Sequence, residues 1–465
     1  MRLIKLGIGD RVVQFHESTG FGTNQVHILT GSNGSGKSAA LEGLADYFGR
    51  EIKFKSPDLQ WTVAGRTFDP RDNRAVGVSR TIVQTYSPYT RFFPSAEPEG
   101  SVVDIYSIGQ LIESPYVCVG LSRSARLTGA SLSRRVLEQA LERVSSSALN
   151  AWFTSDFFNE AGFGGVLHMR YGPLQPMKEI LRSDDARHEV ERQVELAVQG
   201  AGVTKRVNSR FVKEARQSDK GMLVELIITA LDQVEQLVWY PEGCLFSFNF
   251  FQKQSYDFSI FQSLTLLKKL GFLKLRECRL SSNNEYGGID ISTASSGQQQ
   301  IICSVLSLVA TLADDSLVLI DEPELSLHPK WQQLYFKLLS STLKPFNNCQ
   351  VVIATHSPLL VQSGINHGAS IIKLDAGTTE VNRNAKDISV ESALIDIFET
   401  PVEDSMQLAS MVFDAVSKGE SARPAEKKRY LERLFELKKI YARLNGGEVG
   451  DRNIINTAID VLEMD

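Results

Sequence analysis

The chain has 465 residues, 42% of them apolar and 23% charged, with a formal net charge of −5. That length exceeds what one hydrophobic core usually fills, the composition is that of a folded globular protein, and so mild a charge argues against a basic nucleic-acid sleeve while leaving room for a local basic groove. The five cysteines (Cys118, Cys244, Cys278, Cys303 and Cys349) form no CxxC pair, so a zinc site or a disulfide framework is not expected and a reducing cytoplasm fits. The N-terminus lacks the apolar region of a signal peptide, and the longest apolar stretch, residues 301–313, is too short to span a bilayer; no membrane insertion is expected.

In chain order, residues 25–31 (QVHILTG) read as a buried strand entering a glycine-rich turn. The segment after Lys37 places Ala40, Leu41, Leu44 and Phe48 at helical spacing. Residues 80–86 (RTIVQTY) form a second strand candidate. From about 94 to 241 the texture changes to helical patterns, such as 132–148 and 212–237, with Gly- and Ser-containing connections and no chemistry motif. Residues 245–250 (LFSFNF) then alternate like a strand, 301–313 read as a buried helix, and 317–320 and 351–355 as fully buried strands of the parallel type. From about 389 the chain is helical to its end.

Four motifs carry chemistry. Gly31, Ser32, Asn33, Gly34, Ser35, Gly36, Lys37 and Ser38 match the phosphate-binding pattern GxxxxGK[ST], between a strand and a helix as that pattern requires. Small residues let backbone N–H groups curl around phosphate oxygens, and the following helix points its positive end at them. Lys37 supplies a cation for the β- and γ-phosphates of ATP, and Ser38 a hydroxyl for Mg²⁺.

The string LVLIDEPE ends an apolar strand on an acid pair. Asp321 is placed to hold the magnesium shell and Glu322 to act as general base on water. Ser295, Ser296, Gly297 and Gln298 lie in ASSGQQ, where a Ser/Gly helix start reads either as a phosphate-capping turn or as a plain N-cap. His356, in ATHSP, follows Glu322 by 34 residues and is suited to hydrogen-bond a γ-phosphate. Gln84 is a candidate for a glutamine that couples magnesium to the insertion, and reads equally as a polar strand residue.

These motifs, in this order, resemble the ABC-type ATPases of the SMC, RecF and OLD class, with ASSGQQ similar to the LSGGQ signature. The resemblance implies an α/β fold: an ABC-type P-loop ATPase head at 1–93 and 243–388, interrupted by a mainly helical insertion at 94–242 and followed by a helical C-terminal domain at 389–465. It implies a homodimer through the ATPase heads, arranged head to tail, or a higher oligomer, in which each site takes its P-loop from one chain and its signature from the other. The continuation DEPELSLHP is similar to OLD-like and bacterial defence ATPases rather than to transporters.

Residues 389–465 are too few for a Toprim nuclease, and no sustained heptads of the SMC kind occur. The layout, with the tail segment SVESALIDIFETP, looks most like the ATPase subunit of Septu-type anti-phage systems, also found with some retrons. In that family a separate HNH nuclease subunit does the cutting. A DNA repair or recombination ATPase that clamps DNA directly is the alternative, and a transporter ATPase the third reading.

Two features remain. Arg123, Arg126, Arg134 and Arg135 make a stretch without acids that reads as a nucleic-acid track or as a solvated surface. Tyr430, Leu434, Leu437, Tyr441 and Leu444 step by heptad spacing on a basic helix, and either pack within the tail or grip a partner such as the nuclease.

Overall fold

The computed structural model describes residues 1–8, 11–50, 59–63, 65–69, 77–85, 92, 115–120, 129–145, 157–158, 160–161, 163–199, 208–252, 255–282, 288–291, 293–325, 327–374, 379–380, 388–442 and 449–464. The strands in its first third are β1 (Arg2–Ile8), β2 (Arg11–Gln14), β3 (Gln25–Thr30), β4 (Gln60–Val63), β5 (Arg66–Phe68), β6 (Arg80–Thr85) and β7 (Tyr116–Gly120). Those of the middle are β8 (Phe163–Pro173), β9 (Trp239–Tyr240), β10 (Gly243–Asn249), β11 (Leu273–Ser282) and β12 (Ile289–Asp290). Then follow β13 (Ser316–Asp321), β14 (Gln350–Ala354), β15 (Ser370–Lys373) and β16 (Thr379–Glu380).

The helices up to β10 are α1 (Lys37–Arg50), α2 (Gly129–Val144), α3 (Gln175–Ile180), α4 (Ala186–Gln199), α5 (Ser209–Gln217) and α6 (Lys220–Glu235). Beyond it lie α7 (Ser255–Lys269), α8 (Ser296–Val309), α9 (Pro329–Leu343) and α10 (Pro358–Asn366). The tail holds α11 (Val390–Asp396), α12 (Met406–Gly419), α13 (Pro424–Tyr441) and α14 (Val449–Met464). No described helix is long and apolar enough to cross a membrane.

The central sheet runs β16-β15-β3-β14-β13-β6-β7, parallel throughout except for β16. β3, β13 and β14 are buried at every position because both faces of the sheet are covered, which explains their continuous apolar runs. On one face Leu29, Val83, Leu317, Leu319 and Val352 pack with α1 and with the antiparallel sheet β2-β1-β4-β5. On the other, Ile28, Ile82, Val318, Ile320 and Ile353 join the core that holds α8, α9 and the antiparallel sheet β12-β11-β8-β10-β9. Mixed α/β layering around a parallel sheet is the expected fold class.

The stretch expected as an insertion shares its strands with the rest. β7 is the edge of the central sheet, pairing with β6. A Cβ at Gly49 of α1 would stand 2.5 Å from the Tyr116 ring, so glycine is what lets β7 lie this close. β8 is the middle strand of the five-stranded sheet, between β10 and β11. The helical pattern at 212–237 is two helices: Ser218 leaves α5 extended, and the Asp219 side chain caps α6 by accepting the Met222 N–H. Arg123 and Arg126 lie outside the described residues; Arg134 and Arg135 fall on α2.

In the tail the heptad seam turns inward. Leu434, Leu437 and Tyr441 are fully buried against Leu408 and Val412 of α12 and Ile455, Ile459 and Leu462 of α14, with Tyr430 packed alongside. Of the two readings left open for this seam, the structure takes packing within the tail, because three amphipathic helices close one apolar core. Leu444 lies outside the described residues.

Candidate active site

β3 delivers the chain into the loop Gly31–Ser38, where Gly31, Gly34 and Gly36 take φ of 147°, 82° and 100°, values side chains rarely tolerate. Lys37, buried, bends back so that its Nζ donates to the carbonyls of Gly31 at 2.8 Å and Ser32 at 2.9 Å and to Ser35 Oγ at 3.3 Å. α1 begins at Lys37 with no acid of its own in its first turn, so the positive end of its dipole faces the loop.

The next residue reaches across the sheet. Ser38 Oγ donates to Asp321 Oδ1 at 2.9 Å. Asp321 ends β13 on the α1 face, and burial, reinforced by Glu322 and Glu324 and opposed by Ser38 and Lys37, pushes its carboxyl up to about 6. A hydroxyl and a carboxylate at this spacing are hard oxygen donors of the kind a small divalent cation takes.

Glu322 follows with φ of 49°, a left-handed conformation uncommon outside glycine. Its N–H donates to Ala354 O at 2.9 Å, which ties the turn to the end of β14. His356, just beyond β14, sets Nε2 3.9 Å from Glu322 Oε1, with both side chains partly exposed. The structure thus gathers Lys37, Ser38, Asp321, Glu322 and His356 at the carboxyl ends of three adjacent parallel strands, where open α/β sheets bind ligands.

The signature-like turn sits apart from this cluster on the sheet's other face. Ser295 caps α8: its Oγ accepts from Gln298 N at 3.3 Å, and Gln298 Oε1 accepts from Ser295 N at 3.1 Å, a complete capping box. Ser295 and Ser296 are exposed and Gly297 is buried. Ser295 and Gln298 line a cavity of about 760 Å³ with Phe163, Asp290, Lys330 and Trp331.

Gln84 is a correction. It is buried on the α8 face of β6, and its amide donates to Ser304 O at 2.9 Å. Strand alternation turns it away from Asp321. The side chain that shares Asp321's face is the next one, Thr85, which pairs with Asp321 in register and whose buried hydroxyl makes no hydrogen bond among the described residues.

Two further contributors escaped sequence reasoning. Glu324 accepts the His356 N–H at 2.6 Å through Oε1, and burial raises its carboxyl against that bond. Gln300 donates from Nε2 to Pro323 O at 2.7 Å. The DEPE string contained the signal for the first; nothing in the sequence marks the second among three consecutive glutamines.

Residues 204–362 match the family model described as "AAA domain, putative AbiEii toxin, Type IV TA system", a stretch that holds the α8 turn, the acid pair and His356. The chain carries an AAA-type ATPase domain. Among curated relatives it is 34% identical over 113 residues to the retron Vc95 probable ATPase of Vibrio cholerae serotype O1 biovar El Tor, covering 23% of this chain and 21% of that one. It is 31% identical over 114 residues to protein ea59 of Escherichia phage lambda, covering 23% and 22%. The chain therefore spans about a fifth of the length of the curated relatives it matches.

Among solved structures, Stu0660 of Streptococcus thermophilus aligns over 99% of this chain and 93% of its own at 9% identity and a TM-score of 0.36. The Smc head domain of Pyrococcus furiosus, bound to the C-terminal domain of ScpA, aligns over 86% and 99% at 12% identity and a TM-score of 0.27.

Proposed function

We propose that this chain binds ATP with Mg²⁺ and hydrolyses it. The observation that carries the reading is the meeting of Ser38 and Asp321 at 2.9 Å beside Lys37, from positions 283 residues apart. The residues fit the ligand. Lys37 Nζ is held by three loop oxygens at the place a phosphate would take, and the three left-handed glycines leave the loop's N–H groups free of side chains on their ligand side. The raised Asp321 carboxyl is that of a buried acid for which a cation is the natural neighbour. A bound Mg²⁺ would supply charge neutralisation for the phosphates.

On this reading Lys37 and the loop amides bind the phosphates, Ser38 and Asp321 hold the metal, Glu322 orients and deprotonates water, and His356 steadies the γ-phosphate. Ser295 to Gln298 act in trans. Two copies dimerise through their ATPase heads, and the exposed start of α8 meets the nucleotide carried by the other chain. Magnesium-dependent ATP hydrolysis by the purified chain, lost on Lys37→Ala with the fold intact, tests the reading; ATP affinity unchanged in that variant sinks it.

We further propose a regulatory role in anti-phage defence, with the nucleotide state passed to a separate nuclease through the C-terminal helices. The likeness to a retron probable ATPase supports this. The seam of α13 being core, the contact falls to outward residues; Met406 and Phe413, two turns apart on α12, are 81% and 71% exposed. Co-purification with the products of neighbouring genes is the decisive experiment, and recovery of no nuclease would defeat the assignment.

A further inference from the structure

Gln300 lies a little over one turn into α8 from its cap at Ser295 and is buried. Its amide reaches the Pro323 carbonyl at 2.7 Å, between Glu322 and Glu324. The same turn is held from its other side by two bonds to β14 and the loop after it: Glu322 N–H to Ala354 O, and His356 N–H to Glu324 Oε1. Pro323 has no N–H, so this carbonyl is its one backbone polar group. Glu322, with φ of 49°, keeps a conformation that a non-glycine residue holds only where its surroundings impose it.

We infer that Gln300 is a positioning residue through which occupancy at Ser295 sets the geometry of Glu322. The inference rests on the function proposed above. There, Ser295 meets the nucleotide of the partner chain while Glu322 serves the nucleotide of its own. The capping box locks Ser295 to the first turn of α8, so a displacement of the cap is carried along the helix to Gln300. From Gln300 it passes by one hydrogen bond to the Pro323 carbonyl, and so to the residue that must face the attacking water. Each nucleotide then helps to arm the catalytic turn of the opposite site. The coupling is reciprocal for binding, as any free energy between two sites must be.

The test is the ATP dependence of steady-state hydrolysis by the wild-type chain and by Gln300→Met, which keeps the bulk and removes the donor. The wild type should show positive cooperativity. The variant should stay folded, melting a few degrees lower because the buried Pro323 carbonyl loses its donor, and should bind its first ATP with unchanged affinity, yet hydrolyse it with a Hill coefficient of about 1 and a maximal rate about tenfold lower, the rate equivalent of one buried amide hydrogen bond. A purely structural Gln300 would shift the melting temperature and leave the cooperativity alone.

If Gln300→Met does not fold, Gln300→Leu, a smaller apolar side chain that also removes the donor, is measured in its place. Retained cooperativity in a folded variant, or hyperbolic kinetics in the wild type, overturns the inference. Absence of any hydrolysis by the wild type overturns the proposed function itself.

Discussion

Ser38 Oγ and Asp321 Oδ1, 283 residues apart in sequence, share a hydrogen bond of 2.9 Å on the α1 face of the central sheet. That bond offsets only part of what burial costs the carboxylate, which titrates near 6 rather than near its ordinary 3.8. The sign follows from the raised value. Above about pH 6 the folded state holds a charge it would rather not hold, and as pH falls from 6 towards 3.8 that penalty disappears. Asp321→Asn should therefore stabilise the protein without nucleotide by roughly 1–3 kcal/mol at pH 7.5 and by almost nothing at pH 4, read as a shift in chemical denaturation. The same variant should lose magnesium-dependent hydrolysis.

Glu322 combines a chemical and a conformational demand. Glu322→Gln should bind ATP normally and hydrolyse it about 10²–10⁴-fold more slowly, as expected on losing a general base. Glu322→Gly should be equally slow but more stable by about 1 kcal/mol, because it relieves the left-handed backbone. A glycine variant that melts below the wild type would show that the side chain, rather than the turn, holds this segment together.

The composite-site arrangement makes Ser295 and Lys37 separable. Chains carrying Lys37→Ala and chains carrying Ser295→Arg should each be inactive alone. Mixed, they should regain activity, since one of the two sites in each heterodimer pairs an intact P-loop with an intact cap. Heterodimers that form, as judged by tagged pull-down, and yet stay inactive would rule the arrangement out.

His27 offers a pH dependence unconnected with catalysis. It lies on β3, fully buried, edge-on to Phe15 and hydrogen-bonded through Nδ1 to Ser370 Oγ. Burial, with a smaller contribution from His16, lowers its pKa to about 3. Between pH 6.5 and 3 the unfolded chain binds a proton here that the folded chain refuses, so stability contributed above 6.5 is lost progressively as pH falls. His27→Leu should flatten the decline in unfolding free energy across that window; an unchanged slope would assign the acid sensitivity elsewhere.

In the tail, Leu434 and Leu437 are core residues and their neighbour Phe435 is 46% exposed. Leu434→Ala or Leu437→Ala should cost about 2–5 kcal/mol, and Phe435→Ala within about 0.5 kcal/mol of nothing, measured by denaturation of the full chain. If the seam instead gripped a partner, the two leucine variants would melt like the wild type.

The elements legible in the sequence are those whose burial is uniform. Residues 25–31, 317–320 and 351–355 read as buried strands and are β3, β13 and β14, because a parallel sheet covered on both faces imposes one continuous apolar pattern. β8 was missed: Phe163, Gly165, Leu167, Met169 and Tyr171 alternate inward, but the adjacent glycines Gly164 and Gly165 and the apolar Val166 at an outward position mask the period. β7 is an apolar five-residue run, too short to be told from a helix fragment and placed only by its pairing with β6.

The phosphate-binding loop and the acid pair were legible because their chemistry demands particular residues at fixed spacing. Gln84 misled because the choice between it and Thr85 depends on which face of β6 looks at α1, and both neighbours are apolar enough to fit either face. Gln300 and Glu324 act through bonds to backbone groups distant in sequence, and such bonds leave no local pattern.

The order of the central sheet also bears on how the chain is made. β3, which leads into the phosphate-binding loop, pairs only with β14 and β15, and these begin at residues 350 and 370. At about 5–20 residues per second, the ribosome needs roughly a quarter of a minute to a minute to supply them after β3 has emerged. Throughout that interval Val26, Ile28 and Leu29, all destined for full burial, belong to a strand with both edges open. The loop of greatest chemical consequence is thus framed last, and a nascent chain stalled or cut before β14 would expose an aggregation-prone strand rather than a partial ATPase.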